Sequence, residues 1–281
     1  QTRMAEEASI SALMDRVART APFHRELAKL GTEEQAVFDH TSLPGVPFVA
    51  ALCIRTLPDT ARAWVVAPHL RAQEALAAQL ETWGVRHLLF IPEKEVALGE
   101  EMGDPELAAE RLNILHRISS SRTGGQTIIL TEGSLNDEVP SPDGMQNQGI
   151  TLKTGETHAP DDLIRQFEEA GFEGVPQVIS RGQWSRRGGI LDVFPLQSSH
   201  PVRLEFFDDE IESIREFDVD SQISFRKAEH VNLILAEAEG AETLRDWIKP
   251  GDLVITAPFC KERGNVCILT SPPENAAGEE N

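Results

Sequence analysis

The run Val202-Arg203-Leu204-Glu205-Phe206-Phe207 carries residue types suited to recognition. Alternation along an extended strand sets Val202, Leu204 and Phe206 on one face and Arg203, Glu205 and Phe207 on the other. The first set makes a core face. On the second, an exposed guanidinium and aromatic ring four residues apart would offer the chemistry enriched at binding hot spots. The same residues fit a plainer arrangement, in which Phe207 lies under a neighbouring helix and Arg203 pairs with Glu205 or Glu212. Upstream, Arg186-Arg187-Gly188-Gly189 leads into Ile190-Leu191-Asp192-Val193-Phe194. The glycines permit a tight bend or a close backbone approach, which puts two arginines at the edge of a strand. Charge there either keeps the edge soluble or, in so acidic a chain, forms a local basic recognition spot.

Residues arranged for catalysis are harder to find. A nucleotide-hydrolysing α/β domain carries GxxxxGK[ST] between its first strand and first helix, so that backbone amides and a lysine hold the phosphates. Here the matching stretch is Thr41-Ser42-Leu43-Pro44-Gly45-Val46-Pro47, with one glycine, no lysine and two prolines that lack amide donors. Phosphate binding of that kind, and with it enzymatic activity of this chain alone, is not expected. There is no GxSxG and no HExxH, and histidines such as His69, His87 and His116 are scattered singly. The doublets Asp161-Asp162 and Asp208-Asp209 fall at a helix start and just after a strand, where aspartate has local roles. Cys53, Cys260 and Cys267 form no close pair, which fits reduced thiols better than a disulfide framework or a zinc site. No catalytic, cofactor or metal site is expected.

Composition sets the outer bounds. The 281 residues, 40% apolar and 26% charged, suit a soluble globular chain of two modest domains or one domain with an insertion. A net charge of -20 argues against direct nucleic-acid binding, which rests on Lys and Arg neutralising phosphates. The start from Gln1 to Glu7 lacks signal-peptide features, and no apolar run approaches a membrane span. A cytoplasmic location is expected.

The elements that must hold these residues follow from periodicity. Ile10, Leu13, Met14 and Val17 mark an apolar helical stripe in residues 1–36. Residues 37–138 alternate strand and helix: Ala63–Val66, a helix from His69 to Trp83 stopped by Gly84, Leu88–Ile91, a helix capped by Asp104 with Pro105 first, and Thr127–Leu130. That pattern predicts a doubly wound parallel sheet. Residues 139–234 are strand-rich: Thr151–Lys153, a helix from Pro160 to Gly171, then Gln177–Ser180, Ile190–Phe194, Val202–Phe207 and Glu212–Phe217. Residues 235–270 return with a short helix near Thr243–Trp247 and a strand at Leu253–Thr256, and 271–281 form a tail of disordered composition.

Two stretches carry a family resemblance. Ser185-Arg186-Arg187-Gly188-Gly189-Ile190-Leu191-Asp192-Val193-Phe194-Pro195 and His200-Pro201-Val202-Arg203-Leu204-Glu205-Phe206-Phe207-Asp208-Asp209-Glu210-Ile211-Glu212-Ser213-Ile214-Arg215, followed by Phe217-Asp218, closely resemble the N-terminal module of bacterial transcription-repair coupling factors (Mfd). The excision-repair protein UvrB shares the pattern less closely and keeps an intact Walker motif, which this chain lacks. The resemblance implies a degenerate P-loop-like α/β domain interrupted by a smaller α+β domain that docks onto UvrA, the damage-recognition ATPase of nucleotide excision repair. It places the partner contacts on Arg187, Arg203 and Phe207. In such proteins the module recruits UvrA after the factor displaces stalled RNA polymerase, so polymerase and DNA would be met through other domains of a longer chain. Two alternatives accompany it: a UvrB-like nucleotide-dependent ATPase, and a domain that braces or masks a DNA translocase.

Overall fold

The structure, a computed structural model, describes residues 2–269 except 33, 59, 94–104, 121–124, 147–148, 236–241 and 262–263. They form two compact units: the described residues within Gln1–Lys94, Ser121–Glu138 and Glu242–Asn281 make the first, and those within Glu95–Ser120 and Val139–Ala241 the second. Asp104, expected as a helix cap, and the tail 271–281 lie outside the described residues.

The first unit is built on a six-stranded sheet in the order Ala36–Phe38, Val266–Ile268, Leu253–Thr256, Ala63–Ala67, Thr127–Thr131, Leu88–Phe90. All neighbouring pairs are parallel. Every residue of Ala63–Ala67 and Thr127–Thr131 is buried, the pattern of central strands covered on both faces. Parallel pairing requires crossovers, and the helices Val46–Ile54 and Leu70–Thr82 supply two of them. His69 begins the second helix by accepting a hydrogen bond from the Ala72 amide at Nδ1, and Gly84, at φ +84°, ends it. The expected amino-terminal stripe is narrower than its spacing implied. Met14 is buried in the core and Ile10 and Val17 pack against it, whereas Leu13 faces solvent.

Asp252 ties the base of this sheet together. Its carboxylate accepts hydrogen bonds from the Arg62 amide at 3.2 Å, the Trp64 Nε1 at 2.9 Å and the Lys249 amide at 3.0 Å. Removing it strands buried donors, so Asp252→Ala should cost about 2–3 kcal/mol in urea unfolding. Cys53 is packed in the core and the half-buried Cys260 donates its thiol to the Val66 carbonyl at 3.3 Å, and burial pushes both thiols up to about 12. In the folded chain at pH 8 iodoacetamide should therefore leave both thiols unmodified over a time in which denatured chain is fully alkylated. No helix among the described residues is long and apolar enough to cross a membrane.

The second unit is organised by a six-stranded sheet in the order Ser224–Ala228, Glu210–Phe217, Val202–Phe207, Ile190–Phe194, Gln183–Arg187, Glu173–Gly174. It is antiparallel except at the last pair. One face is covered by the helix Pro160–Glu169, whose Leu163 and Phe167 join Leu191, Val193, Leu204 and Ile214 in the core. A separate ladder of Gly149–Lys153 with His230–Ile234 adds Leu152 and Leu233. The helix Pro105–Ser120, expected with the α/β domain, groups with this unit and packs against the short helix Pro142–Gln146.

The expected strand at Gln177–Ser180 does not form. The side-chain oxygen of Gln183 accepts the amides of both Ile179 and Ser180 at 3.0 Å, so a side chain satisfies donors that a ladder would have used. The strand lies later, at Gln183–Arg187, where the sequence is too polar to announce one.

Candidate partner-docking surface

Alternation in Val202–Phe207 survives because the neighbouring strand absorbs an irregularity. Glu205 pairs with Ser213 but Phe206 pairs with Ile211, leaving Glu212 as an extra residue. The bulge lets both Ile211 and Ile214 enter the core while Phe206 packs against it. Phe207 therefore points the other way and is 72% exposed. It is not under a helix.

The turn before this strand is as tight as its glycines imply. Arg187 pairs with Ile190, so Gly188 and Gly189 make a two-residue hairpin connection, and Gly188 has φ +61°. Phe206 donates its amide to the Gly189 carbonyl at 2.7 Å, and a Cβ on Gly189 would sit 2.8 Å from the Phe206 carbonyl oxygen. Gly189→Ala should thus destabilise the chain by more than about 1 kcal/mol in chemical denaturation, with the hairpin forced apart.

Outward side chains of the sheet fall into register. Ser185, Asp192, Arg203, Arg215 and Lys227 share one row, and Arg187, Ile190, Glu205 and Ser213 the next. The rows hold four cations against two carboxylates, in a chain whose net charge is -20. Arg203 and Arg215 stand directly opposite each other, an unfavourable like-charge pair that nearby carboxylates offset. Arg215 Nε lies 3.7 Å from Glu205, which also accepts a hydrogen bond from the Ser213 hydroxyl at 2.5 Å.

Arg203 pairs with neither Glu205 nor Glu212 in the hydrogen-bonded sense. Its Nε and Nη2 reach the two oxygens of Asp192 at 2.8 and 3.0 Å, and its Nη1 reaches the Gln222 carbonyl at 3.3 Å. The guanidinium lies 4.5 Å over the centre of the buried Phe217 ring, and the Arg203 side chain is only 14% exposed. Arg187 donates to the same Asp192 at 2.7 Å but keeps 51% of its side chain in solvent. Of the three residues singled out by sequence, then, Phe207 and Arg187 are accessible and Arg203 is mostly enclosed. Asp192, Phe217 and Gln222 were not foreseen as members of the group. The one available signal was Asp192 itself, a charge inside an otherwise apolar strand, since buried carboxylates require partners.

The other acidic doublets have local roles. Asp161 and Asp162 occupy the first turn of their helix, and Asp161 forms an ion pair with Arg186. Asp208 takes φ +52° in the turn between the two strands, a conformation aspartate tolerates better than most residues. Among the described residues no group of three or more His, Cys, Asp or Glu side chains is arranged to hold a metal ion.

In the first unit, a cavity of about 250 Å³ opens beyond the carboxyl ends of the parallel strands, where open α/β sheets commonly bind ligands. Leu43, Val46, Pro47, His69, Leu76 and Phe259 are among its lining residues, and none of the residues lining it is Lys, Arg, Asp or Glu. In the adjoining loop the Gly45 and Val46 amides donate to Ser42 and Leu43 carbonyls, closing a single 3₁₀ turn.

Within the strand-rich unit that presents this arginine and phenylalanine face, residues 150–238 match the family model of the UvrB interaction domain. The wider chain is related to transcription-repair-coupling factors. It is 33% identical to that of Haemophilus influenzae over 174 residues, 61% of this chain and 15% of the relative. It is 35% identical to that of Escherichia coli over 131 residues (47% and 11%) and 31% identical to that of Bacillus subtilis over 149 residues (53% and 12%). The chain thus spans between 11% and 15% of the length of these relatives, and the resemblance carried by residues 185–218 is borne out.

Proposed function

We propose that the chain is a non-catalytic adaptor module of a transcription-coupled nucleotide excision repair factor, which docks UvrA through Arg187, Arg203 and Phe207. The observation that carries this reading is the exposed Phe207 on the sheet face that also carries Arg187 and Arg203, within the segment that matches the UvrB interaction domain. Aromatic and arginine side chains are the types enriched at the cores of protein interfaces. Any role of RNA polymerase or DNA would fall to other parts of a longer protein. Gel filtration of the chain with purified UvrA tests the docking role: a joint peak is expected, and separate elution at micromolar concentrations would reject it.

The non-catalytic part of the proposal rests on the degenerate P-loop-like stretch. The two prolines offer no amide, the Gly45 and Val46 amides already close the turn, and no lysine stands in the loop. Phosphates would thus lack the amide cradle and the cation that hold them. Calorimetry with ATP and magnesium should register no binding up to millimolar nucleotide; a saturable heat would restore the UvrB-like ATPase reading.

A further inference from the structure

Asp192 is a buried carboxylate on the outward face of the sheet, with 1% of its side chain exposed. Desolvating a carboxylate is unfavourable unless it is paired, and one bidentate arginine would suffice. Asp192 instead holds two. Arg203 meets both of its oxygens, and Arg187, from the neighbouring strand and the next row, donates to one of them. The Arg203 guanidinium is then bounded by Asp192 on one edge, the Gln222 carbonyl on another and the Phe217 ring beneath. The hydrogen bonds it donates to Asp192 are the main reason Arg203 holds its proton more tightly than an ordinary arginine. A cluster of two arginines on one carboxylate leaves a net positive charge at a fixed place, on the sheet face that carries Phe207.

We propose that Asp192 is the positioning residue of the docking face, fixing Arg187 and Arg203 in the orientation in which they meet the partner. The inference rests on the docking role proposed above. Long arginine side chains lose rotamer freedom when they are immobilised at an interface, and a side chain already held before binding loses less. Asp192 supplies that restraint without touching the partner, because its own oxygens are enclosed. Were it only filling the sheet, its replacement would change stability and leave affinity alone.

The test is a double-mutant cycle read as affinity for UvrA. Asp192→Asn should raise the Kd about tenfold, yet add less than about twofold in a chain already carrying Arg187→Ala and Arg203→Ala. An unchanged Kd in Asp192→Asn, while Phe207→Ala still weakens binding, would overturn the positioning role and leave docking intact. A tenfold loss that persists without the arginines would also overturn it. If neither Phe207→Ala nor Arg187→Ala alters affinity, the docking reading fails and this inference with it. A second measurement needs no variant: in the free wild-type chain the Arg203 Nε–H should show a heteronuclear NOE as high as the rigid backbone. The value of a freely rotating side chain there would overturn the proposal even if the asparagine variant did not fold.

Discussion

The joint replacement Arg187→Ala and Phe207→Ala is expected to weaken UvrA binding by at least about 2 kcal/mol, roughly thirtyfold, while leaving the chain folded. Both side chains reach solvent, so neither removal opens a cavity, and Asp192 keeps its bidentate partner Arg203. Phe207 should contribute the larger part, since a ring that is 72% exposed in the free chain has most to gain from burial. Arg187 adds a guanidinium already pinned on one edge, whose free edge remains available. Titration calorimetry with matched melting curves separates loss of contact from loss of fold. An affinity unchanged within twofold would place the interface elsewhere.

The second large effect is on stability and distinguishes two arginines that look alike in sequence. Arg203→Ala removes the main partner of a buried carboxylate together with the cover over Phe217, and should destabilise the chain by about 3 kcal/mol. Arg187→Ala should cost less than about 1 kcal/mol, because half of that side chain is solvated and its ion pair is screened. Urea unfolding of the two variants measures the difference directly. Equal losses would mean that Asp192 shares its two partners evenly. The contrast also bears on how docking is tested: a binding defect in Arg203→Ala mixes contact with folding, which Arg187→Ala and Phe207→Ala avoid.

Parts of this architecture were legible because one physical constraint dominated them. Ala63–Ala67 and the Ile128–Leu130 centre of Thr127–Thr131 are apolar because both faces are covered, and Val202–Phe207 alternates because one face is core. The helix Pro160–Glu169 declared both ends, with proline at its start and glycine after its finish. What escaped were elements held by context. Gln183–Arg187, Ser224–Ala228 and His230–Ile234 are polar or mixed in composition and become strands because a ladder is available beside them. Gln177–Ser180 has a strand-like composition but gives its amides to the Gln183 side chain, a pairing that no local pattern announces.

The proposed docking face divides in the same way. Its exposed ring and its glycine hairpin follow from alternation and turn chemistry, both local. The enclosure of Arg203 depends on Phe217 and Gln222 arriving from a later strand and turn, and on Asp192 facing outward from a strand whose other residues are apolar. Alternation set Arg203 and Phe207 off the core face and left both an exposed and a paired arrangement open; Phe207 is exposed and Arg203 is paired, with Asp192 in place of Glu205 or Glu212. The motif itself remained recognisable because turn, strand and charge are contiguous in sequence over residues 185–218.

The most direct test of the account is titration of UvrA with the wild-type chain and, in the same buffer, with its Phe207→Ala form. Saturable binding by the first and at least about tenfold weaker binding by the second are expected. Absence of binding by the wild-type chain, or equal affinity of the two, would contradict it.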